Sequence, residues 1–326
     1  MSNIQIIGTG SYLPEGIITN DDLSNIVDTN DEWITARTGI SKRRISKGEN
    51  TVYMACKAGK MALDSSKLCS EDLDLIIVAT LTPDNFMPST ACSVQKELKA
   101  KNAMCFDISA ACSGFVYALE VAYSLINSTS RKNALIIGAE TLSKIVDWKD
   151  RSTCILFGDG AGAAVISKKN EKGIVDFSTG SQGELGEFLT SKALPLKNLY
   201  ISNDNERHNS YISMSGKEIF KFAVNSITNV VKELCMKSNW KLEDVDYIIP
   251  HQANMRIIEY TSKKLGVPKN KFYTNLKDCG NTSAASIAIA LDHINKNGLL
   301  RKGSKIILVG FGGGLTYGGV SIYWSI

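Results

Sequence analysis

A seven-residue segment of this chain occurs twice. Glu71-Asp72-Leu73-Asp74-Leu75-Ile76-Ile77 reappears as Glu243-Asp244-Val245-Asp246-Tyr247-Ile248-Ile249, a displacement of 172 positions. Two further matches share that displacement: Ala118-Leu119-Glu120 with Ala290-Leu291-Asp292, and Leu135-Ile136-Ile137-Gly138 with Ile307-Leu308-Val309-Gly310. One offset common to three separate segments argues for duplication, so the chain must fold as two similar halves. The polar stretch 168–173 is the expected boundary, giving an N-terminal half 1–170 and a C-terminal half 171–326.

The repeated segments are built from short apolar runs alternating with helical patterns. Strands are expected at Ile4–Ile7, Leu75–Ala79, Leu135–Ile137, Tyr247–Ile249 and Ile306–Val309. Helices are expected over 51–66, 112–127, 217–238 and 284–295, where apolar residues recur every three or four positions. Continuous Ile/Val/Leu strands between helices predict an α/β fold with sheets covered on both faces. With 326 residues, 44% hydrophobic and 21% charged, the chain is long enough to bury a core in each half. Its net charge of +4 is too slight to argue for nucleic acid as a partner. No apolar run suits a signal peptide or a membrane span. Eight scattered cysteines without a CxxC pair fit a reducing cytoplasm and offer neither a disulfide framework nor a metal site.

The duplication directs attention to Cys112. It opens the helical pattern 112–127, and its counterpart, position 284, opens the pattern 284–295 just after Asn281. Pseudo-symmetric packing can therefore bring Cys112 and Asn281 towards one centre. A cysteine at a helix start feels the positive end of the macrodipole, and its small neighbours (Ser109, Ala110, Ala111, Ser113, Gly114) admit a substrate carbonyl. An isolated buried cysteine is more often a small hydrophobe, but this context favours a nucleophile. His251, one of three histidines, directly follows the strand 247–249, where loops of parallel sheets carry sites. It could equally cap the helix that follows. Asn281 reads alone as a turn or N-cap residue. His208 and His293 read as surface residues. The cluster Gly310-Phe311-Gly312-Gly313-Gly314 lacks the lysine of a P-loop but can present free N–H groups to an oxyanion opposite Cys112.

These segments, taken in order, resemble the β-ketoacyl-acyl-carrier-protein synthase III family. The resemblance begins at Ile6-Ile7-Gly8-Thr9-Gly10-Ser11-Tyr12-Leu13-Pro14, Asp31-Glu32-Trp33-Ile34 and Arg37-Thr38-Gly39-Ile40. It continues through the Cys112 segment, Phe157-Gly158-Asp159-Gly160-Ala161-Gly162-Ala163, His251-Gln252-Ala253-Asn254, Gly280-Asn281-Thr282-Ser283 and Phe311-Gly312-Gly313-Gly314. It implies a thiolase-like fold, two duplicated α/β halves in an αβαβα layering, and a homodimer. It implies a catalytic set of Cys112, His251 and Asn281, with the Cys112 and Gly313 N–H groups forming an oxyanion hole. Thr29, Trp33, Arg37 and Arg151 match positions that bind coenzyme A, and Gly216, Phe220 and Asn254 match positions along the pantetheine. Lys221, Arg256, Lys263 and Lys264 match the basic face that receives the acidic carrier protein. The implied reaction loads an acyl group from acyl-CoA onto Cys112 and condenses it with malonyl-acyl-carrier protein, with loss of CO₂. Neither a metal nor a resident cofactor is implied, and CoA enters as a thioester substrate.

The chain departs from the common family pattern at a few positions. Met87 stands where members often have phenylalanine, at a position bounding the acyl pocket from the partner subunit, and a flexible side chain there suits a longer or branched primer. Lys217 replaces a common asparagine and Tyr317 a common tryptophan. The segment 185–212 is longer than usual, with acidic points at Glu184, Glu187, Asp204 and Glu206. These changes keep open a specialised relative acting in a secondary-metabolite or surface-polysaccharide pathway. A papain-like protease also orders Cys, His and Asn along its chain, but it has no place for the duplication. A degradative thiolase needs a second cysteine in the glycine loop, and 310–318 contains none.

Overall fold

The apolar runs become strands whose alternate side chains face opposite layers. A computed structural model describes residues 3–200 and 210–326. Asp204, Glu206 and His208 lie outside the described residues. Nine strands make the two principal sheets: β1 (Asn3–Tyr12), β2 (Leu75–Ala79), β3 (Met104–Ile108), β4 (Asn133–Glu140), β5 (Gly160–Lys169), β6 (Ile174–Ser181), β7 (Tyr247–Pro250), β8 (Lys305–Gly312) and β9 (Thr316–Tyr323). The first sheet has the order β1-β5-β4-β2-β3, the second β6-β9-β8-β7. Pairing follows one plan in both. β1–β5–β4 and β6–β9–β8 are antiparallel, whereas β4–β2 and β8–β7 are parallel. Where the first sheet has β3, the second keeps a parallel bridge between Ile248 and Phe272.

The helices that frame these sheets are α1 (Asp31–Thr38), α2 (Thr51–Ser66), α3 (Thr90–Leu98), α4 (Gly114–Ser128), α5 (Gly216–Lys237), α6 (Met255–Leu265) and α7 (Ser286–Lys296). Strand alternation sorts them into layers. Leu75 and Ile77 face inwards with Phe115 and Leu119 of α4, Ile287 and Leu291 of α7, and Ile306 and Leu308 of the second sheet. Ile76 and Val78 face outwards onto Met54 and Ala58 of α2. Ile307 and Val309 face outwards onto Ile227 and Leu234 of α5. The result is the αβαβα layering, with α4 and α7 enclosed between two sheets. Truncating a fully buried residue of that central layer, such as Phe115, costs about 3–5 kcal/mol.

The duplication extends to backbone detail. Two 3₁₀ turns, Ala111–Ser113 and Ser283–Ala285, keep the displacement of 172. Each opens on a non-glycine residue in the left-handed region, Ala111 at φ 45° and Ser283 at φ 46°. The turns also cross over: the first packs on β8 of the other half, and the second on β4. Glycines permit both approaches. A Cβ on Gly312 would lie 2.6 Å from the Cys112 nitrogen, and one on Gly138 would lie 2.2 Å from the Ala284 oxygen. These turns revise the expected helix starts. Cys112 sits in the elbow ahead of α4, which begins at Gly114, and α7 begins at Ser286 rather than 284. Positive φ at Ala111 and Ser283 is incompatible with α-helix, so each chain turns before the helix starts.

Candidate active site

The crossing turns place the nucleophile candidate against the strand ends of the other half. Cys112 is buried on its elbow, 8% exposed, beside Gly312 at the end of β8. His251 follows β7, whose register on β8 is set by Pro250 opposite Val309, and its N–H donates to the Val309 carbonyl at 2.8 Å. Asn281 is fixed from three sides. Its N–H donates to Leu156 O, its carbonyl accepts from Gly158 N, and its Oδ1 accepts from Ser283 N at 2.9 Å. Cys112, His251, Asn281 and Gly312 line one cavity of about 120 Å³.

That cavity continues in two directions. Gly216, Phe220 and Asn254 are shared with an outer recess of about 430 Å³, which Arg37, Lys217 and Arg256 also line. Cys112, Phe157 and Leu189 are shared with a chamber of about 580 Å³ on the other side, walled by Leu81, Phe86, Leu142 and Ile145 and reached by Gly313. A charged mouth, a narrow middle and an apolar chamber thus form one passage, with the thiol at the inner junction.

Burial governs the electrostatics. The Cys112 thiol is pushed up to about 12 by desolvation, only partly offset by the Ser283 hydroxyl, which accepts from Sγ at 3.4 Å. Burial thus opposes the thiolate that a helix start favours, and Cys112 sits in the turn directly ahead of α4. His251 is held neutral, its pKa lowered to about 3 by burial. Its Nδ1 lies 2.6 Å from the Ser286 hydroxyl, and its ring meets Phe311 edge-on at 5.3 Å. The ring does not cap the following helix; Asn254 does, its side chain accepting from Arg256 N at 2.9 Å. Nor does Asn281 cap α7, since Ser286 begins that helix and its N-cap residue is Ala285.

Of the remaining expected site residues, Arg37 and Arg256 line the mouth. The guanidinium groups of Arg37 and Arg151 lie 5.2 and 4.7 Å from the Trp33 ring centre, a cation–π stack at the surface. The nearby Thr29 hydroxyl is buried with no hydrogen-bond partner. Lys221, Arg256, Lys263 and Lys264 are exposed on the packed pair α5 and α6. Met87 is 84% exposed and does not line the apolar chamber of its own chain, whereas its neighbour Phe86 does. His293 is not a surface residue: it is half-buried, with Nδ1 3.1 Å from the Asn275 amide.

Three residues at the centre were not singled out from the sequence: Ser283, Ser286 and Glu140. The two serines stand in the stretch 280–286 that was read only for Asn281. Glu140 ends β4 at the position where the repeat has Gly312, and a carboxylate ending a buried strand was the available signal. No helix among the described residues is long and apolar enough to cross a membrane.

Two family models match the chain. The model described as 3-Oxoacyl-[acyl-carrier-protein (ACP)] synthase III matches residues 106–183, and its C-terminal counterpart matches 235–324. A β-ketoacyl-[acyl-carrier-protein] synthase III of Clostridium botulinum (strain Okra / Type B1) is 64% identical over 326 residues, the whole of both chains. The crystal structure of 3-oxoacyl-[acyl-carrier-protein] synthase III from Aquifex aeolicus VF5 superposes with a TM-score of 0.92 at 51% identity, covering 99% of this chain and 100% of that one. The corresponding enzyme of Pseudomonas aeruginosa PAO1 superposes with the same score at 38% identity, covering 99% of each chain. The fold is therefore the thiolase-like one, and the chain belongs to the β-ketoacyl-[acyl-carrier-protein] synthase III family, a condensing enzyme of the acyltransferase class that initiates fatty-acid synthesis.

Proposed function

We propose that Cys112, His251 and Asn281 divide the family's two half-reactions between them, using an acyl-CoA primer and malonyl-acyl-carrier protein. The half 1–170 supplies the nucleophile, and the half 171–326 supplies the histidine and asparagine. The observation that carries this reading is the single cavity lined by all three residues, continuous with a basic mouth and an apolar chamber.

Acyl-CoA lies with its adenine beside Trp33 and Arg151, its phosphates near Arg37, and its pantetheine past Thr29, Gly216, Phe220 and Asn254. Cys112 Sγ attacks the thioester carbonyl, and the N–H groups of Cys112 and Gly313 stabilise the oxyanion. CoA departs as the thiol and the acyl group extends into the apolar chamber. The carrier protein docks through its acidic surface on Lys221, Arg256, Lys263 and Lys264, and its malonyl arm enters the same passage.

His251 then acts as a neutral hydrogen-bond donor. Nδ1 lies 2.6 Å from the Ser286 hydroxyl, and in the proposed chemistry that hydroxyl donates to Nδ1 so that the proton resides on Nε2. That N–H and the Asn281 amide bind the malonyl thioester oxygen, so loss of CO₂ leaves an enolate stabilised by two donors. The enolate carbon attacks the acyl-Cys112 carbonyl, and expulsion of the cysteine thiolate releases the β-ketoacyl product. Dryness protects the acyl-cysteine from water. No metal or resident cofactor enters the reading, which sets the enzyme in a reducing cytoplasm as a homodimer.

Intact-protein mass spectrometry against a panel of short and branched acyl-CoAs tests it. An acyl adduct is expected on the native chain and not on Cys112→Ala, and added malonyl-carrier protein is expected to convert it to a β-keto product and CO₂. No adduct with any primer overturns the assignment.

A further inference from the structure

Cys112 must lose a proton to attack, yet the proposed chemistry names no group to take it. The thiol rests protonated in a dry site. His251 is a poor acceptor, since burial holds it near 3 and its Nδ1 is engaged by Ser286. A buried carboxylate with no part in the chemistry so far lies on the far side of Ser283. Glu140 is fully buried at the end of β4. It accepts hydrogen bonds from Thr82 Oγ1 at 2.6 Å, Thr80 Oγ1 at 3.3 Å and Leu81 N at 3.2 Å, and the Ser283 hydroxyl is a neighbour that favours its ionised form. The same hydroxyl accepts from Cys112 Sγ at 3.4 Å. Ser283 therefore bridges nucleophile and carboxylate, and its left-handed backbone, φ 46°, holds it there.

We propose that Glu140 receives the Cys112 proton through the Ser283 hydroxyl as the thiol attacks acyl-CoA. The proposal rests on Cys112 being the acylated residue, and the protons balance. Ser283 passes its hydroxyl proton to a Glu140 oxygen and takes the thiol proton in exchange, leaving a thiolate, an intact serine and a neutral carboxylic acid. The new S–C bond forms as the C–S bond to CoA breaks, and the proton held on Glu140 neutralises the departing CoA sulfur. Transfer also removes a negative charge that opposes the thiolate, because ionised Glu140 disfavours a second anion at Cys112.

Burial raises Glu140 to about 7, so it is the stronger base of the two buried groups and is poised to switch near neutrality. The titratable groups around it are few. Asp159, ahead of β5, is held by Ser143 and Ser46. Lys144 reaches the Thr82 carbonyl at 3.3 Å but pairs with Asp84 at 2.6 Å. Cys112 and His251 face the cavity side. Burial is the largest cause of the Glu140 shift, and the hydrogen bonds from Thr82 and Leu81 oppose it.

The test is the pH dependence of two Cys112 reactions: single-turnover acylation by acyl-CoA, and alkylation by iodoacetamide, which needs no CoA binding. In the native chain both rates are expected to rise through one ionisation near pH 7. In Glu140→Gln and in Ser283→Ala that ionisation is expected to disappear, with acylation at pH 8 at least tenfold slower. Ser283→Ala keeps the Thr82, Thr80 and Leu81 bonds to Glu140, and alanine is the residue that holds the same positive φ at position 111. It decides the matter if Glu140→Gln does not fold. An unchanged pH profile in a folded Ser283→Ala overturns the relay. Loss of the adduct in Cys112→Ala, read alongside, shows whether the underlying reading of Cys112 still stands.

Discussion

The Ser286 hydroxyl lies 2.6 Å from His251 Nδ1 inside the protein, joining the first residue of α7 to the loop after β7. A hydroxyl that donates to Nδ1 leaves the ring proton on Nε2, the tautomer that the proposed condensation step needs. If the hydroxyl is removed, the imidazole is free to carry its proton on the wrong nitrogen, and the donor to the malonyl thioester is lost in part of the population. Ser286→Ala is therefore expected to slow decarboxylative condensation about tenfold, equivalent to ~1.4 kcal/mol of barrier. Acylation of Cys112 should change by less than twofold. Single-turnover measurement of each half-reaction separates the two, and equal losses in both would contradict the assignment.

Trp33 is stacked by two guanidinium groups at the mouth, and Arg151 also donates to Asp28 O at 2.7 Å. An adenine sharing this aromatic face gains stacking energy remote from the reacting bond. Such energy is lost equally from ground and transition states. Trp33→Ala is accordingly expected to raise KM for acyl-CoA about tenfold with kcat nearly unchanged, corresponding to the ~1–2 kcal/mol of a stacked contact. A fall in kcat at unchanged KM would place Trp33 elsewhere in the reaction.

Gly312 marks the closest approach of the two halves at the nucleophile. A Cβ there would lie 2.6 Å from the Cys112 nitrogen and 3.1 Å from its Cα, both backbone atoms that cannot swing aside. Gly312→Ala is expected to displace the Cys112 elbow, reduce acylation at least a hundredfold and cost about 1–3 kcal/mol of stability through overpacking. Urea denaturation and adduct formation read the two effects independently. A normally acylated Gly312→Ala chain would show that the elbow tolerates displacement.

Much of this arrangement was legible in the sequence because duplication is written in residue identities. The displacement of 172 paired Cys112 with position 284, and the structure keeps that pairing down to the matching φ values of Ala111 and Ser283. Strands 75–79 and helix 51–66 have the expected bounds, since continuous β-branched runs and an apolar period of three to four leave little choice. The helix starts at 112 and 284 were misplaced because left-handed elbows at non-glycine residues carry no compositional mark. Ser283, Ser286 and Glu140 were passed over for a related reason. Their importance lies in contacts between segments 35 to 171 residues apart, which local pattern cannot convey, and the same burial opposes the thiolate that a helix start favours at Cys112.

Glu140 gives the fold a pH dependence of predictable sign. Its folded pKa, about 7, lies above its unfolded value, 4.5, so between those limits the folded state binds more protons. The corresponding stability is fully present below about 4.5 and is lost as pH rises through 7. Glu140→Gln lacks this dependence. Going from pH 4.5 to 8, the native chain should lose on the order of 3 kcal/mol relative to the variant. His251 acts in the opposite sense, because its lowered pKa removes stability as pH falls from 6.5 towards 3. It is common to both chains, so the difference isolates Glu140. Chemical denaturation at pH 5 and pH 8 measures that difference, and a constant gap would mean that Glu140 stays in one protonation state.

Phe86 and Met87 are adjacent, apolar and exposed to 80% and 84%. Phe86 lines the chamber beyond Cys112, whereas Met87 turns away from it. Two large apolar side chains on one exposed loop are expected to be covered, and a second copy of the chain reading its partner's chamber with Met87 would cover them. Sedimentation analysis should show a homodimer, and Met87→Asp should weaken it by at least tenfold. Met87→Phe should preserve the dimer while stiffening the chamber wall. With a rigid ring in place of a flexible thioether, branched and longer primers should acylate Cys112 at least tenfold more slowly, and an acetyl primer should be unaffected. Competition between an acetyl and a branched acyl-CoA for Cys112 reports the ratio directly. If the variant keeps the native primer ranking in an intact dimer, Met87 does not bound the acyl pocket and the ranking is set by the chain's own wall, Leu81, Leu142 and Ile145.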